Sequence, residues 1–258
     1  MATKADNKNL SLWSMVDKTD PSATKQYQGA GGFRGTSIKS TYHVKKATEI
    51  FGPLGIGWGY QILEDRIDEG HAIAGKGADD KPFIHDNIVT KVHTLRIKLW
   101  FILDGQRGEV EHYGHTPFVY TNKYGPQTET EPAKKSLTDA IGKCLSMLGF
   151  SADVFSGDFD DNDYVEQAKT ESAIKKAEDK EAEIIKRRAE LSDYVVRHID
   201  AIKSAQTPNE TKGIEMSACR HLARQAMIPD LAKIAEKGQR AITQEAAAKT
   251  KELDNETV

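Results

Sequence analysis

The residues most suggestive of a binding function are lysines and arginines that recur beside aromatic residues and glycines before residue 150. Basic side chains neutralise phosphates and aromatic rings stack on nucleobases, so this mixture is typical of surfaces that follow a nucleic-acid strand. Scattered solubilising charge is the alternative interpretation. The candidate positions are Lys25, Arg34, Lys39, Lys45, Lys46, Arg96, Lys98, Lys134, Lys135 and Lys143.

A near match to a phosphate-binding loop runs through residues 70–77. That motif requires Ser or Thr after its lysine to hold magnesium, and here Gly77 follows Lys76. No clear apolar strand precedes the segment, and the residues after it favour a helix poorly. We therefore expect a flexible loop and no nucleotide cofactor.

Metal ligands and catalytic groups are sparse in the sequence. His112 and His115 are three residues apart, and in a strand that spacing directs their imidazoles to opposite faces. The acidic run at 153–163 lacks the EF-hand ligand pattern, which favours a solvated linker over a cation site. No nucleophile or metalloprotease motif appears. The sequence thus predicts neither a metal nor a catalytic residue, and it argues against an enzyme.

Composition limits the class of protein further. The 258 residues carry 36 Lys and Arg against 39 Asp and Glu, a net charge of −3, which excludes a uniformly basic coat but not a local basic face. No apolar run is long enough to span a membrane, and residues 1–12 carry no apolar signal core. Cys144 and Cys219 form neither a disulfide framework nor a zinc motif, so we expect a reducing cytoplasm.

Hydrophobic spacing predicts the elements that hold these residues. A helix capped by Thr36 or Ser37 should run to about Phe51. Strand alternation follows at 58–63 and is strongest at 95–101, and a glycine turn then returns the chain as another strand. Residues 68–86 resemble an insertion or a long hairpin loop. The clearest helix covers 133–148, with Thr130 as its expected N-cap.

The aromatic residues indicate where the main core lies. All three Trp, all eight Phe and seven of the eight Tyr lie in residues 1–165. We predict an α+β fold, an antiparallel β-meander with a β-β-β-α core backed by helices, followed by an α-helical C-terminal region. The expected domains are 1–155, an acidic linker at 156–172, and a charged helical region at 173–258. That last region should contain a long helix, a small bundle and a polar tail from about residue 249.

Two segments resemble the signatures of a known family. Residues 42–58, YHVKKATEIFGPLGIGW, resemble a segment in which a helix ends in A-x-E-x-F-G and leads to G-W. Residues 134–149, KKSLTDAIGKCLSMLG, resemble a basic helix with Thr-Asp at its middle that ends in Leu-Gly. In this order the pair is similar to the single-strand-annealing proteins of the Rad fifty-two-like superfamily, phage type, over roughly residues 10–155.

The resemblance implies single-stranded DNA binding and ATP-independent annealing of complementary strands in homologous recombination and repair. It also implies an oligomeric ring or filament with DNA in a positive groove and bases turned outward. The family's groove has two basic residues next to Thr-Asp, and Gly142 and Lys143 correspond to them here. One charge is therefore absent, and Lys134 or Lys135 is expected to compensate. Lys25 corresponds to a further groove arginine.

Partners and alternatives follow from the same resemblance. Single-stranded DNA and further copies of the chain are expected partners. A host single-strand-binding protein or a phage exonuclease would dock on residues 173–258, unless the long helix there only packs on the ring exterior. The expected location is the cytoplasm of a bacterial host. Two other functions stay open: a single-strand protector that does not anneal, and an interaction scaffold that works through its helical C-terminus.

Overall fold

The computed structural model describes residues 8–29, 32, 34–76, 82–122 and 124–256. The chain divides into two units. The first contains the chain up to Thr19, Lys25–Tyr27 and Ser37–Ser156, and the second contains Asp20–Thr24, Gln28–Thr36 and the chain from Gly157. Within the described residues, no helix is both long and apolar enough to cross a bilayer.

The chain enters through short elements and one longer helix. These are α1 (Ser11–Val16), β1 (Thr24–Gln28), β2 (Arg34–Ile38) and α2 (Ser40–Phe51), of which β1 and β2 form a two-stranded sheet. The predicted helix ending at Phe51 is confirmed, but the predicted caps Thr36 and Ser37 are wrong, because both lie in β2. Lys39 is the N-cap and makes no capping hydrogen bond with its side chain. α2 buries His43, Ala47 and Phe51, which lie four residues apart and therefore form one stripe.

Four antiparallel strands form the predicted meander. They are β3 (Trp58–Lys76), β4 (Pro82–Leu103), β5 (Gln106–Asn122) and β6 (Gly125–Thr128), and they are hydrogen-bonded in sequence order. With the helices that follow, this confirms the α+β prediction. The Asp104–Gly105 turn between β4 and β5 has positive φ at both residues, which suits a tight hairpin.

Residues 68–86 depart from the prediction. β3 continues as a strand to Lys76 and β4 resumes at Pro82, with Gly75 opposite Phe83. The hairpin lacks the clean alternation of the central strands because register shifts at Glu69/Ala72 and Ala72/Ala74 interrupt its pleat. Gly70 to Lys76, the described part of the near phosphate-binding motif, therefore lies in a strand, whereas a loop was expected. Gly77 lies outside the described residues.

α3 (Pro132–Met147) covers one face of the sheet and is followed by the short α4 (Ala152–Phe155). The predicted helix is confirmed, but Thr130 is not its cap. Glu131 is the N-cap, without a capping hydrogen bond from its side chain, and Pro132 occupies the first turn. Proline needs no partner for an amide there, which makes a capping side chain less necessary.

The core of the first unit lies between α3 and the sheet. Leu95, Ile97 and Leu99 on β4 pack with Trp58, Ala140, Cys144 and Leu145. Burying one such aliphatic side chain contributes about 1.5–3 kcal/mol. Gly114 on β5 permits the close approach of α3, because a Cβ atom there would lie 2.0 Å from the Ser136 carbonyl oxygen.

The part of the second unit after Gly157 is helical. Its main helices are α5 (Asn162–Lys176), α6 (Lys180–Ser204), α7 (Pro208–Gln225) and α8 (Ala232–Glu256). Leu191, Ile202, Leu222, Leu231 and Ile242 form its core. The single long helix expected here is two helices, because the chain leaves the helix at Ala177 and Asp179 caps α6 through the Ala182 amide.

Two boundaries differ from the prediction in this unit. The stretch 156–172, expected to be a linker, includes most of α5 and belongs to the second unit from Gly157. Its acids have partners there: Asp161 accepts from Arg224 at 2.9 Å, and Asp163 lies 3.3 Å from His221. The polar tail expected from about residue 249 continues α8 to Glu256.

Candidate nucleic-acid interface

A cleft between α2 and α3 brings together the first and second resemblance segments. We call it the α2–α3 cleft. It contains a cavity of about 320 Å³ that is open to solvent on one side and is lined by Ser40, Thr41, His43, Val44, Lys45, Thr138, Ile141 and Gly142. Ser40 and Thr41 open α2, whereas Thr138 and Gly142 are one turn apart on α3.

The α2 wall carries exposed positive charge. The Lys45 side chain is 78% exposed, and its Nζ is 3.9 Å from Glu49, a long surface ion pair that contributes little. Lys46 is more covered and lies 3.8 Å from the same carboxylate. Lys39 is exposed immediately before Ser40. Because no side chain caps α2, the positive end of the helix dipole adds to this wall.

The α3 wall adds a stripe of polar positions. Lys134, Thr138 and Gly142 are successive four-residue steps along the helix and therefore share a side. Lys134 donates to Glu131 at 3.0 Å, and Lys135 is paired with Glu129. Of the predicted compensating lysines, Lys134 is thus the one on the stripe that lines the cavity.

Lys143 is held beside the cleft by an aromatic ring. Its Nζ lies 5.4 Å from the centroid of Phe155, within the range of a cation–π contact. Among the described residues, no carboxylate is within ion-pair distance of it. As far as the described residues go, the charge of Lys143 is therefore available to bind an anion.

His43 forms the floor of the cavity. It is 5% exposed, and its Nε2 lies 3.2 Å from Ser151 Oγ. Burial lowers the pKa of His43 to about 4, so the ring is neutral at physiological pH. Ser151 adopts a left-handed conformation, with φ 56°, at the start of α4.

Arg96 and Lys98 lie on the other face of the sheet. They alternate along β4 with the buried Leu95, Ile97 and Leu99, so they face away from α3. The structure therefore separates them from the lysines of α2 and α3. We call this surface the outer sheet face.

The outer sheet face is neutralised by its own carboxylates. Arg96 lies 2.9 Å from Glu64, and Lys98 lies 3.3 Å from both Glu109 and Glu111. The hydrogen bond to Glu109 raises the pKa of Lys98. Two of the cations also lie over aromatic rings: the Arg107 guanidinium is 4.7 Å from the centroid of Trp100, and the Arg96 guanidinium is 5.8 Å from that of Tyr113. Among the described side chains, the ion pairs of this face join four cations and four carboxylates: Arg66, Arg96, Lys98, Arg107, Glu64, Asp68, Glu109 and Glu111.

The two remaining candidates lie on the small sheet. Lys25 is exposed on β1 and belongs to the first unit, whereas Arg34 is exposed at the start of β2 and belongs to the second. Neither lines the α2–α3 cleft.

The imidazoles of β5 have the predicted arrangement. His112 is opposite Ile97 and His115 is opposite Thr94, so the two rings are on opposite faces of the sheet. Among the described residues, no three His, Cys, Asp or Glu side chains gather as metal ligands.

Sequence reasoning missed the residues that shape the cavity. His43 and Thr138 lie inside the two resemblance segments, but these two residues, Ser40 and Thr41 were not candidate binding residues, because the search followed positive charge. The four-residue steps from Lys134 through Thr138 to Gly142 were a usable signal, because they place a small residue and a hydroxyl beside a candidate lysine.

No protein-family model matches this chain, and no curated protein is significantly similar to it.

Proposed function

We propose that the chain binds single-stranded DNA in the α2–α3 cleft and anneals complementary strands without ATP, in homologous recombination and repair. One observation carries this proposal: the two segments that resemble annealing-protein signatures form the two walls of one cleft. They are far apart in sequence, and the fold places them against each other.

Charge supports the cleft as the path of the strand. Lys45 on one wall and Lys143 beside the other have weak or no acidic partners among the described residues. These lysines would neutralise phosphates of the strand and release the counterions condensed on it, which supplies a large share of the affinity of a protein for nucleic acid. The outer sheet face has equal numbers of cations and carboxylates, so it offers no comparable attraction.

Annealing needs no catalytic group. Two free strands repel each other through their phosphates, and neutralising one backbone while leaving base edges accessible lets complementary bases test pairing. No covalent bond is made or broken. A cleft of lysines, hydroxyls and apolar side chains is therefore sufficient for the proposed activity.

Assembly into an oligomer belongs to the same proposal. β3 lies at an edge of the sheet, and no described strand pairs with its outer side. Tyr60, Ile62 and Ile67 are 37%, 49% and 50% exposed on the face that β3 shares with the core. A long edge strand with exposed apolar residues favours association with another chain. A mass measurement in solution that gives only monomer at micromolar concentration would contradict assembly.

The binding site is tested by salt dependence with a matched control. Lys45→Ala and Lys143→Ala should each weaken binding to a labelled single strand at every sequence, because phosphate contacts carry no sequence information. Each should flatten the slope of log affinity against log salt by about 0.7. Lys98→Ala, an equal charge change on the outer sheet face, should leave the slope unchanged. An equal change in all three variants would argue against the cleft.

A further inference from the structure

The cavity in the α2–α3 cleft has the composition of a site for a flat, mostly apolar group. Val44, Ile141 and Gly142 supply apolar lining, and the ring of His43 supplies the floor. Hydroxyls of Ser40, Thr41 and Thr138 lie among them. Small-molecule sites are typically apolar hollows of about 300 Å³ or more with a few polar groups that fix orientation, and the cavity of about 320 Å³ fits that description.

One ring nitrogen of the buried His43 side chain lies on the Gly142 side of this space. A Cβ atom at Gly142 would lie 3.5 Å from His43 Nδ1 and would meet nothing closer, so Nδ1 is on the Gly142 side of the ring. The other nitrogen, Nε2, is engaged with Ser151. Within the described chain, Nδ1 has no hydrogen-bond partner. The neutral imidazole therefore presents one donor or acceptor to a ligand in the cavity.

The groups around the cavity suit the phosphate part of a nucleotide. Lys45 lines the cavity, as do Ser40 and Thr41 in the uncapped first turn of α2. Lys143 follows Gly142 on α3 and lies beside Phe155. A helix start with nearby lysines suits phosphate oxygens. Apolar peptide side chains would use the cavity but not these cations, so the chemistry favours a base attached to a phosphate backbone.

We propose that this cavity receives one unstacked nucleobase of the bound strand, that Gly142 keeps it open, and that His43 Nδ1 hydrogen-bonds the edge of the base. The inference rests on the proposed single-strand binding and deepens it. The other bases of the strand stay outside the cavity, where they are free to pair.

Comparing normal and abasic oligonucleotides of equal length separates base recognition from backbone binding. The wild-type chain should prefer the base-bearing strand by about tenfold, which corresponds to about 1.4 kcal/mol from the contacts of one base with the protein. Gly142→Leu fills the cavity, so it should bring the ratio of the two affinities to about one, and this ratio is the readout whatever the variant does to backbone binding. Gly213→Leu is the matched control, because it is an exposed helical glycine where a Cβ would meet nothing within 4 Å.

A second variant keeps the test informative if Gly142→Leu fails to fold. Thr138→Leu narrows the same cavity from an exposed position of α3 and should also lower the preference. If circular dichroism shows that both variants are folded and both retain the tenfold preference, the proposed base site is wrong. Saturable binding of a mononucleotide without any preference for the base-bearing strand would assign the cavity to a free nucleotide and overturn the proposal. Failure of the wild-type chain to bind either strand would instead contradict the proposed function.

Discussion

His43 shows how a single side chain links the cleft to the stability of the fold. It is buried on α2 beside α3, and its Nε2 contacts Ser151. The loss of hydration makes the protonated ring less stable there than in water, and one hydrogen bond does not offset that loss. The same burial that makes it a neutral hydrogen-bonding group in the cavity makes the fold sensitive to acid.

We predict that the free energy of unfolding falls as the pH is lowered from about 6.5 toward 4. The unfolded chain binds a proton at the ordinary histidine pKa, whereas folded His43 binds it only near pH 4. The unfolded state therefore holds more protons in this window, which costs about 2 kcal/mol between pH 7 and pH 5. Urea denaturation at both pH values measures it.

His43→Gln supplies the comparison, because glutamine keeps a polar group near Ser151 but does not titrate. At pH 7 the free energy of unfolding of this variant should be lower than that of the wild-type chain. Between pH 7 and pH 5 it should fall by less than the wild-type value does. A loss equal to that of the wild-type chain would assign the acid sensitivity to other groups.

At the level of elements, the sequence predicts the helices of the cleft well and the cavity poorly. α2 and α3 have regular apolar stripes, and both form at the predicted places. The separation of Arg96 and Lys98 from α3 also follows from alternation with Ile97. Their acidic partners depend on the register among β3, β4 and β5, which no local pattern contains.

The absence of a side chain at Gly114 allows α3 to lie close against β5. Because α3 forms one wall of the cleft, this contact also sets the position of that wall. A Cβ atom at Gly114 would also lie 2.7 Å from the Ala140 amide nitrogen. Backbone atoms cannot rotate away, so Gly114→Ala should lift the helix from β5 and destabilise the fold by about 1–3 kcal/mol or more.

Thermal or urea unfolding of this variant provides the measurement. Gly105→Ala is an unsuitable control because its φ is 76°, whereas Gly213→Ala places a methyl group in open space on a helix and should stabilise by up to about 1 kcal/mol. Wild-type stability in Gly114→Ala would mean that α3 does not rest on β5 at this point.

Across the whole molecule, the division near Ser156 indicates which part should be needed for annealing. Both walls of the cleft belong to the first unit, while α5 to α8 have their own core. We propose that the second unit docks a protein partner, such as a host single-strand-binding protein or an exonuclease.

A chain without residues 157–258 should therefore anneal naked oligonucleotides at close to the full rate and fail in recombination in cells. If the purified full chain binds the host single-strand-binding protein or the exonuclease and the shortened chain does not, the result would support docking. If the shortened chain is folded but cannot bind naked DNA, the second unit belongs to the annealing site itself.

Annealing of two complementary oligonucleotides, one with a fluorophore and one with a quencher, is the most direct test of the central claim. The wild-type chain should accelerate quenching without ATP, Lys45→Ala combined with Lys143→Ala should lose most of the acceleration, and Lys98→Ala should retain it. Binding of single strands without any acceleration would identify a protector. An acceleration that survives loss of both cleft lysines would contradict the account of the α2–α3 cleft.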